Sequence, residues 1–444
     1  MGGCDPAKSG IVGLHFHWIR RTLHRSLASL VTLTRKLPGV TTPRWPRKND
    51  PESIRARQDS LRAQTDGEVF WDDLQPWANA TEALTGVAVV PVAVVGPLRT
   101  ALAEYELAEP EGRVEERSRA QEDVFVPLAN TEGGLALSLQ RGARAVAESG
   151  EFRTYVLGDR MTRASAFLFE STAQAADFAR WIEGQVGEMG AWLAGEPVEG
   201  LSRFARLREI ETHVVGSMCH VMYAFTTGDA VGLNMVTRNS YALNQAFVPE
   251  HAPVQPRRTM LEGNMGGDKK PSHRYFERGG HGKTVIAETT LTDDALRRVL
   301  RTSAEDVLEL AYIGTHGAVA SGMQSVAFTP ATAIAALFTA TGQDLGMVGT
   351  SSMAHVAAHR VEGGVNVSIR LPGLEVATVG GGTTLPYARS WLSLMGCAGA
   401  GKVYRFAQIV AAATLALEIS ASAAMATAGS REFFRAHHER GGLR

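Results

Sequence analysis

The stretch Phe406 to Ala428 restricts most severely what this chain can become. Small and aliphatic residues fill it almost without a break. A helix so apolar on every side has two homes, a lipid bilayer or a protein core large enough to enclose it. Gln408 and Glu418 interrupt the run and its small residues suit close helix packing, so a buried core helix is the favoured reading and no transmembrane segment is expected. A core of that size is available, because 444 residues with 44% hydrophobic content suffice for about two or three packed domains.

A formal charge of -1 provides no global field for nucleic acid or an anionic membrane, so no nucleic-acid partner is expected and any anion site must be built locally. Cys4, Cys219 and Cys397 show neither metal-ligand spacing nor the even count of a disulfide framework, which fits a reducing cytoplasm and predicts no metal site. Residues 1–57 are rich in Lys and Arg and broken by Pro38, Pro43 and Pro46, the pattern of a flexible basic arm. His15, His17, Arg20 and Arg21 break the apolar stretch that a secretory signal would need.

Along the chain, an apolar β-rich run from Val87 to Val95 ends at Gly96-Pro97, and a helix is expected from Thr131 to Val146. Residues 154–248 read as strand, helix, strand, strand, helix, the order of a small split βαβ sandwich inserted in a larger domain. The spacing predicts a polar loop over 263–282, a strand over 284–291 and helices over 293–312 and 330–341. A glycine-rich segment, 379–383, precedes the last long helix.

Five short motifs carry groups able to do chemistry. Glu132 stands beside Gly133 and Gly134 at a predicted helix start, where it either serves the helix dipole or acts as an acid, with Ser138, Arg141 and Arg144 further along. Asp268, Lys269 and Lys270 occupy a glycine-rich loop, either as an exposed charged turn or as a device to polarise a carbonyl and bind a carboxylate. Asp344 follows an apolar helix, where an anion needs a compensating cation. His437 and His438 lie near the C-terminus. The segment from Asp229 through Gly232, Leu233 and Asn234 to Met235 joins a strand to a helix through a glycine and could present backbone donors to a cofactor; it is not a GxGxxG fingerprint.

Taken in order, these segments resemble one family, the hydroxymethylglutaryl-coenzyme A reductases, and in particular their class I. The matching stretches are Pro91 to Leu98, Pro127 to Gly142, Met161 to Arg163, Ser202 to Leu207, Thr227 to Met235, Gly267 to Pro271, Gly342 to Asp344 and Thr378 to Thr383. The resemblance implies an α+β fold, with a large substrate domain over 58–153 and 259–444 and an inserted ferredoxin-like cofactor domain over 154–258. It also implies NADPH as cofactor, an acyl-coenzyme A substrate reduced to an alcohol, and a homodimer or homotetramer with sites between subunits.

Carried over by motif, Glu132, Lys269, Asp344 and His437 would be catalytic, with Glu132 made a proton donor by burial and by Asp344. Ser202, Arg203, Asp229, Gly232, Leu233, Asn234 and Met235 would hold the cofactor, Arg203 facing a ribose 2′-phosphate. Ser138, Arg141 and Arg144 would face the coenzyme A phosphates. Arg163, Glu262, Asn264, Asp268 and Lys270 would surround the acyl group.

The chain departs from the family pattern where substrate is recognised. Glu262 stands where the family has a serine that helps hold the substrate's distal carboxylate, and the stretch around Tyr312 lacks an expected lysine. Thr332 replaces an asparagine, the turn at 399–405 differs, and His437 lies further beyond Glu418 than the pattern has it. Hence an enzyme of the same mechanism acting on another thioester or aldehyde is an alternative to mevalonate formation, and a non-catalytic binding partner is a third.

Overall fold

The computed structural model of the chain describes residues 48–62, 74–109, 112–195 and 201–438. Most of the basic arm lies outside the described residues. Two compact units are present, 1–87 and 88–444. In the first, α1 (Pro51–Arg62) runs across position 57, where the arm was expected to end. Arg57 is fully buried there and donates to the carbonyls of Lys48 and Leu84 and to Asn49. A guanidinium can be enclosed this way because several of its donors find acceptors. Ile54, Leu74 and Leu84 form the small apolar cluster of this unit.

The second unit opens with a long hairpin, β1 (Val92–Ala108) and β2 (Arg113–Ala129). Gly96-Pro97 was expected to end a strand; instead the ladder shifts register between Val95 and Leu98 and β1 continues. Gly134 caps α2 (Leu135–Ser149), so this helix starts three residues beyond Glu132. Next come β3 (Phe152–Leu168), α3 (Thr172–Glu183) and α4 (Val186–Gly195), the last two replacing the single helix expected there. They are followed by β4 (Arg206–Val215), β5 (Met218–Thr226), α5 (Leu233–Ala242), β6 (Arg258–Met260) and β7 (Gly282–Thr292). The remainder is α6 (Ala304–Ala320), α7 (Pro330–Thr341), β8 (His355–Val361), β9 (Gly364–Leu374), α8 (Pro386–Leu394), α9 (Val403–Ala426) and α10 (Arg431–His438).

β3 belongs to two sheets. Its first half pairs with β1 and β7 in the order β2-β1-β3-β7-β9-β8, and its second half, from Met161, pairs with β5 and β6. Each sheet has its own core. Phe167, Phe178, Ile210, Tyr223 and Phe225 fill the second, between the β3-β5-β4 ladder and α3. The first core surrounds α9, which is the one helix among the described residues long and apolar enough to cross a membrane, and which is mostly buried. Its alanines allow close approach. A Cβ on Gly142 of α2 would lie 1.8 Å from the Ala416 carbonyl oxygen, so only glycine permits this crossing. Buried Gln408 exchanges hydrogen bonds with the Ala103 backbone and accepts from Thr154, tying α9 to β1 and β3.

Candidate active site

The loop between β6 and β7 is shaped by two backbone positions. Gly267 lies at φ +73° and Lys269 at φ +56°, and the Tyr275 hydroxyl donates to the Gly267 carbonyl at 2.7 Å. A Cβ on Gly267 would approach the Tyr275 oxygen to 2.6 Å. A lysine in the left-handed region is uncommon, and here its side chain has a partner. Lys269 Nζ lies 2.7 Å from Asp344 Oδ2, while Asp344 Oδ1 accepts the Gly346 amide just beyond α7. The cation required by an anion at this helix end is therefore Lys269. The Asp344 hydrogen bond, opposed by some desolvation, raises the lysine above its ordinary value. Both side chains are nearly half exposed.

Beside this pair lies a buried network. His281 Nδ1 is 3.0 Å from Glu375 and its Nε2 is 3.0 Å from the Thr162 carbonyl, while Thr350 bonds the other Glu375 oxygen. Asp268, His281 and Glu375 bring their ligand atoms within 4.8 Å of one another. Both imidazole nitrogens already have protein partners, so no ring lone pair is left for a metal. Arg163 is largely buried and engaged on two sides, by Glu262 at 2.5 Å and Asp268 at 3.6 Å. Glu262 also accepts the Asn264 amide, and Lys270 donates to the Asn264 side chain.

Glu132 is exposed in the single chain, contrary to the burial expected of it. It lines a cavity of about 500 Å³ together with Ser138, Arg141, Arg301, Thr332, Glu432 and Arg435. Ser138 and Arg141 are not free in this cavity: both bond Ser420 and so fasten α2 to α9. Arg144 faces solvent and pairs with Glu148 one turn on. His437 and His438 fall in α10, but their side chains lie outside the described residues.

At the remaining positions, Gly232 at φ +91° caps α5, whose first residues are Leu233, Asn234 and Met235. A Cβ there would strike Thr227 at 2.3 Å. Ser202 and Ala205, on either side of Arg203, are held by Asn239, a fully buried side chain of α5 that accepts the Ser202 amide and donates to the Ser202 and Ala205 carbonyls. Arg203 is exposed, with its guanidinium 5.2 Å from the Phe204 ring and no carboxylate partner among the described residues. Asp229 differs from expectation. Its carboxylate accepts the Gly401, Lys402 and Val403 amides at 2.8–3.0 Å, which makes it the cap of α9 and leaves it little capacity for a ligand.

Sequence reasoning missed Asn239, the His281–Glu375 pair, and Glu418, which accepts the Phe328 and Thr329 amides at the start of α7. A polar residue in an otherwise apolar helix was the available signal for Glu418; Asn239 stands in a helix with several other polar residues and had no such signal. Nothing local marks His281 and Glu375, which are 94 positions apart. Cys219 and Cys397 are buried, and burial pushes each thiol up to about 12, so neither is reactive at neutral pH.

Residues 55–441 match the family model described as hydroxymethylglutaryl-coenzyme A reductase. The chain is 35% identical over 368 residues to the 3-hydroxy-3-methylglutaryl-coenzyme A reductase of Aeropyrum pernix, covering 81% of each. It is 34% identical to the enzyme of that name from Pyrococcus abyssi, over 80% of this chain and 83% of the relative. Its fold resembles the class II 3-hydroxy-3-methylglutaryl-CoA reductase of Streptococcus pneumoniae bound to NADPH, with a TM-score of 0.61 at 17% identity, covering 85% of this chain and 96% of that one.

Proposed function

Because the chain belongs to the hydroxymethylglutaryl-coenzyme A reductase family, we propose that it reduces hydroxymethylglutaryl-coenzyme A to mevalonate with NADPH, at a site centred on Lys269. The observation that carries this reading is the Lys269–Asp344 pair, a cation held at one place and open to a ligand. Reduction of a thioester to an alcohol takes two hydrides, and each addition leaves negative charge on the carbonyl oxygen. Lys269 meets that charge, and Asp344 keeps the ammonium protonated and in place. Glu132 protonates the aldehyde oxygen in the second reduction, and His437 protonates the departing thiolate.

The loop of Ser202 and Arg203 and the start of α5 suit NADPH, which when bound supplies the hydride. Arg203 has a charge without a carboxylate partner, as recognition of a 2′-phosphate needs. Glu132 and the Lys269–Asp344 pair are too exposed in one chain to exclude water, so a second copy closes the site in a homodimer or homotetramer. The cytoplasm is the compartment consistent with two buried free thiols.

One observation favours a second substrate. Glu262 occupies Arg163, a cation otherwise available to a distal carboxylate, and so suits a thioester lacking that group. NADPH oxidation measured against hydroxymethylglutaryl-coenzyme A and a panel of carboxylate-free acyl thioesters tests both. Mevalonate formation at ordinary affinity supports the first reading; turnover confined to the carboxylate-free thioesters supports the second. The absence of NADPH oxidation with every thioester would leave an aldehyde substrate or the binding-partner alternative.

A further inference from the structure

A second cavity, of about 360 Å³, is walled by five arginines: Arg113, Arg160, Arg208, Arg278 and Arg370. None of its wall residues belongs to the sets assigned above to the thioester, the acyl group or the cofactor. Two acidic residues also line it: Asp159 is committed outside the cavity and Glu209 to one of the five arginines. Asp159 is buried against Lys283 at 3.0 Å and accepts the Tyr404 hydroxyl, and Glu209 is 3.1 Å from Arg160. Arg160 is further held by Glu211, and Arg208 is forked by Glu109.

That leaves Arg113, Arg278 and Arg370 with no carboxylate in ion-pair distance among the described residues. The Nε atoms of Arg160 and Arg370 are buried with no hydrogen-bond acceptor. Burial and the Arg278 charge both act against protonated Arg160, although its Glu209 contact works the other way. Several guanidiniums converging without enough counter-charge, two of them with buried unmet donors, form an incomplete arrangement. Its missing component is an acceptor-rich anion.

We propose that this cavity is an anion site separate from the reductase centre, and that its ligand is a small molecule bearing a di- or triphosphate. Arginine forks match phosphate oxygens two at a time, and three unpaired guanidiniums on different walls exceed what one carboxylate can satisfy. Four of the five arginines stand on β2, β3, β4 and β9 and are anchored in sheets, while Arg278 ends the short helix Arg274–Arg278, so most of the site is preformed. A volume near the lower end for small-molecule sites excludes a nucleic-acid strand.

The test uses the full chain and inorganic pyrophosphate as probe, read by calorimetry and by melting temperature at fixed ionic strength. Saturable binding is expected, about tenfold tighter than orthophosphate, with a rise in melting temperature that saturates in step. Arg278→Gln and Arg370→Gln should each weaken pyrophosphate about tenfold while leaving NADPH affinity unchanged. Without the anion, Arg370→Gln should melt no lower than the parent, because it removes unpaired positive charge. Arg278 is exposed, so its variant carries the test should the Arg370 variant not fold. The proposal is overturned if pyrophosphate does not saturate or binds equally well to both variants. It is also overturned if pyrophosphate displaces NADPH or acyl-coenzyme A competitively, since it would then be occupying their phosphate sites.

Discussion

Two lysine–aspartate pairs in this molecule share the same chemistry and differ in setting. Lys269 and Asp344 are 2.7 Å apart with side chains 44% and 43% exposed; Lys283 and Asp159 are 3.0 Å apart and 2% and 1% exposed. Each member of the buried pair has a second protein partner, the Tyr404 hydroxyl on Asp159 and the Gly228 carbonyl on Lys283. The open pair has room for a ligand. A charge that must meet an oxyanion has to remain reachable, whereas a charge that joins two sheet strands to the helix-capping loop at Gly228 does not. Burial therefore separates the scaffold pair from the pair proposed for catalysis.

The largest effect is expected at the scaffold pair. Lys283→Ala leaves the Asp159 carboxylate buried and uncompensated, which should cost about 3–5 kcal/mol in a urea or thermal melt. Replacing both residues with apolar side chains of similar size should recover most of that loss. If Lys283→Ala unfolds at the parent's denaturant midpoint, water reaches Asp159 and the contrast between the pairs disappears.

At the open pair the order of consequences reverses. Lys269→Ala should lower kcat at least about a hundredfold through the lost oxyanion partner, yet change stability by no more than about 1 kcal/mol. NADPH affinity should stay the same. Near-normal turnover in this variant would sink the proposed mechanism, and collapse of the fold would show that the two pairs are not different in kind.

Exposed charges elsewhere should follow the open pair. Arg203→Ala should weaken NADPH by about 1.5–3 kcal/mol and leave NADH nearly unaffected, since a charged hydrogen bond is lost with only one of them. An unaltered ratio of the two affinities would place the 2′-phosphate at another residue. Glu262→Ser frees Arg163 from a partly exposed partner, and should improve the KM for hydroxymethylglutaryl-coenzyme A by about fivefold at low salt. A carboxylate-free thioester should gain much less. No change with either substrate would mean that the Glu262–Arg163 contact does not face the acyl group.

The same contrast explains what could be read in the sequence. The buried helix around Ala413, the order from β3 to α5 apart from the split of its first helix into α3 and α4, and the loop carrying Lys269 were legible, because periodicity and glycine placement are local signals. The capping role of Asp229 was not legible, since its partners, the amides of Gly401 to Val403, lie more than 170 positions away. Lys269 and Asp344 were grouped in one catalytic set by a family resemblance and not by spacing. Lys283 and Asp159 gave no signal at all, because a charged residue's burial depends on which distant strand covers it. Glu132 shows the opposite failure: burial was expected for it, and a single chain provides none.

The smallest expected effect concerns how the open pair responds to pH. The Asp344 hydrogen bond raises Lys269, so the folded protein holds that proton more tightly than the unfolded chain. The stability gained is complete below the unfolded lysine value of about 10.4 and is lost as pH rises through the higher folded value. Because both side chains are nearly half exposed, solvent screening limits the gain to about 0.2–1 kcal/mol. The parent should therefore exceed Lys269→Met in urea midpoint by a small margin that is constant at neutral pH, shrinks above about pH 10, and narrows in molar salt at pH 7. The margin between the parent and Lys283→Ala should persist in the same salt, since buried charges are poorly screened. If salt instead erodes the Lys283 margin and spares the Lys269 one, exposure is not what distinguishes the two pairs, and the division of labour argued from it does not hold.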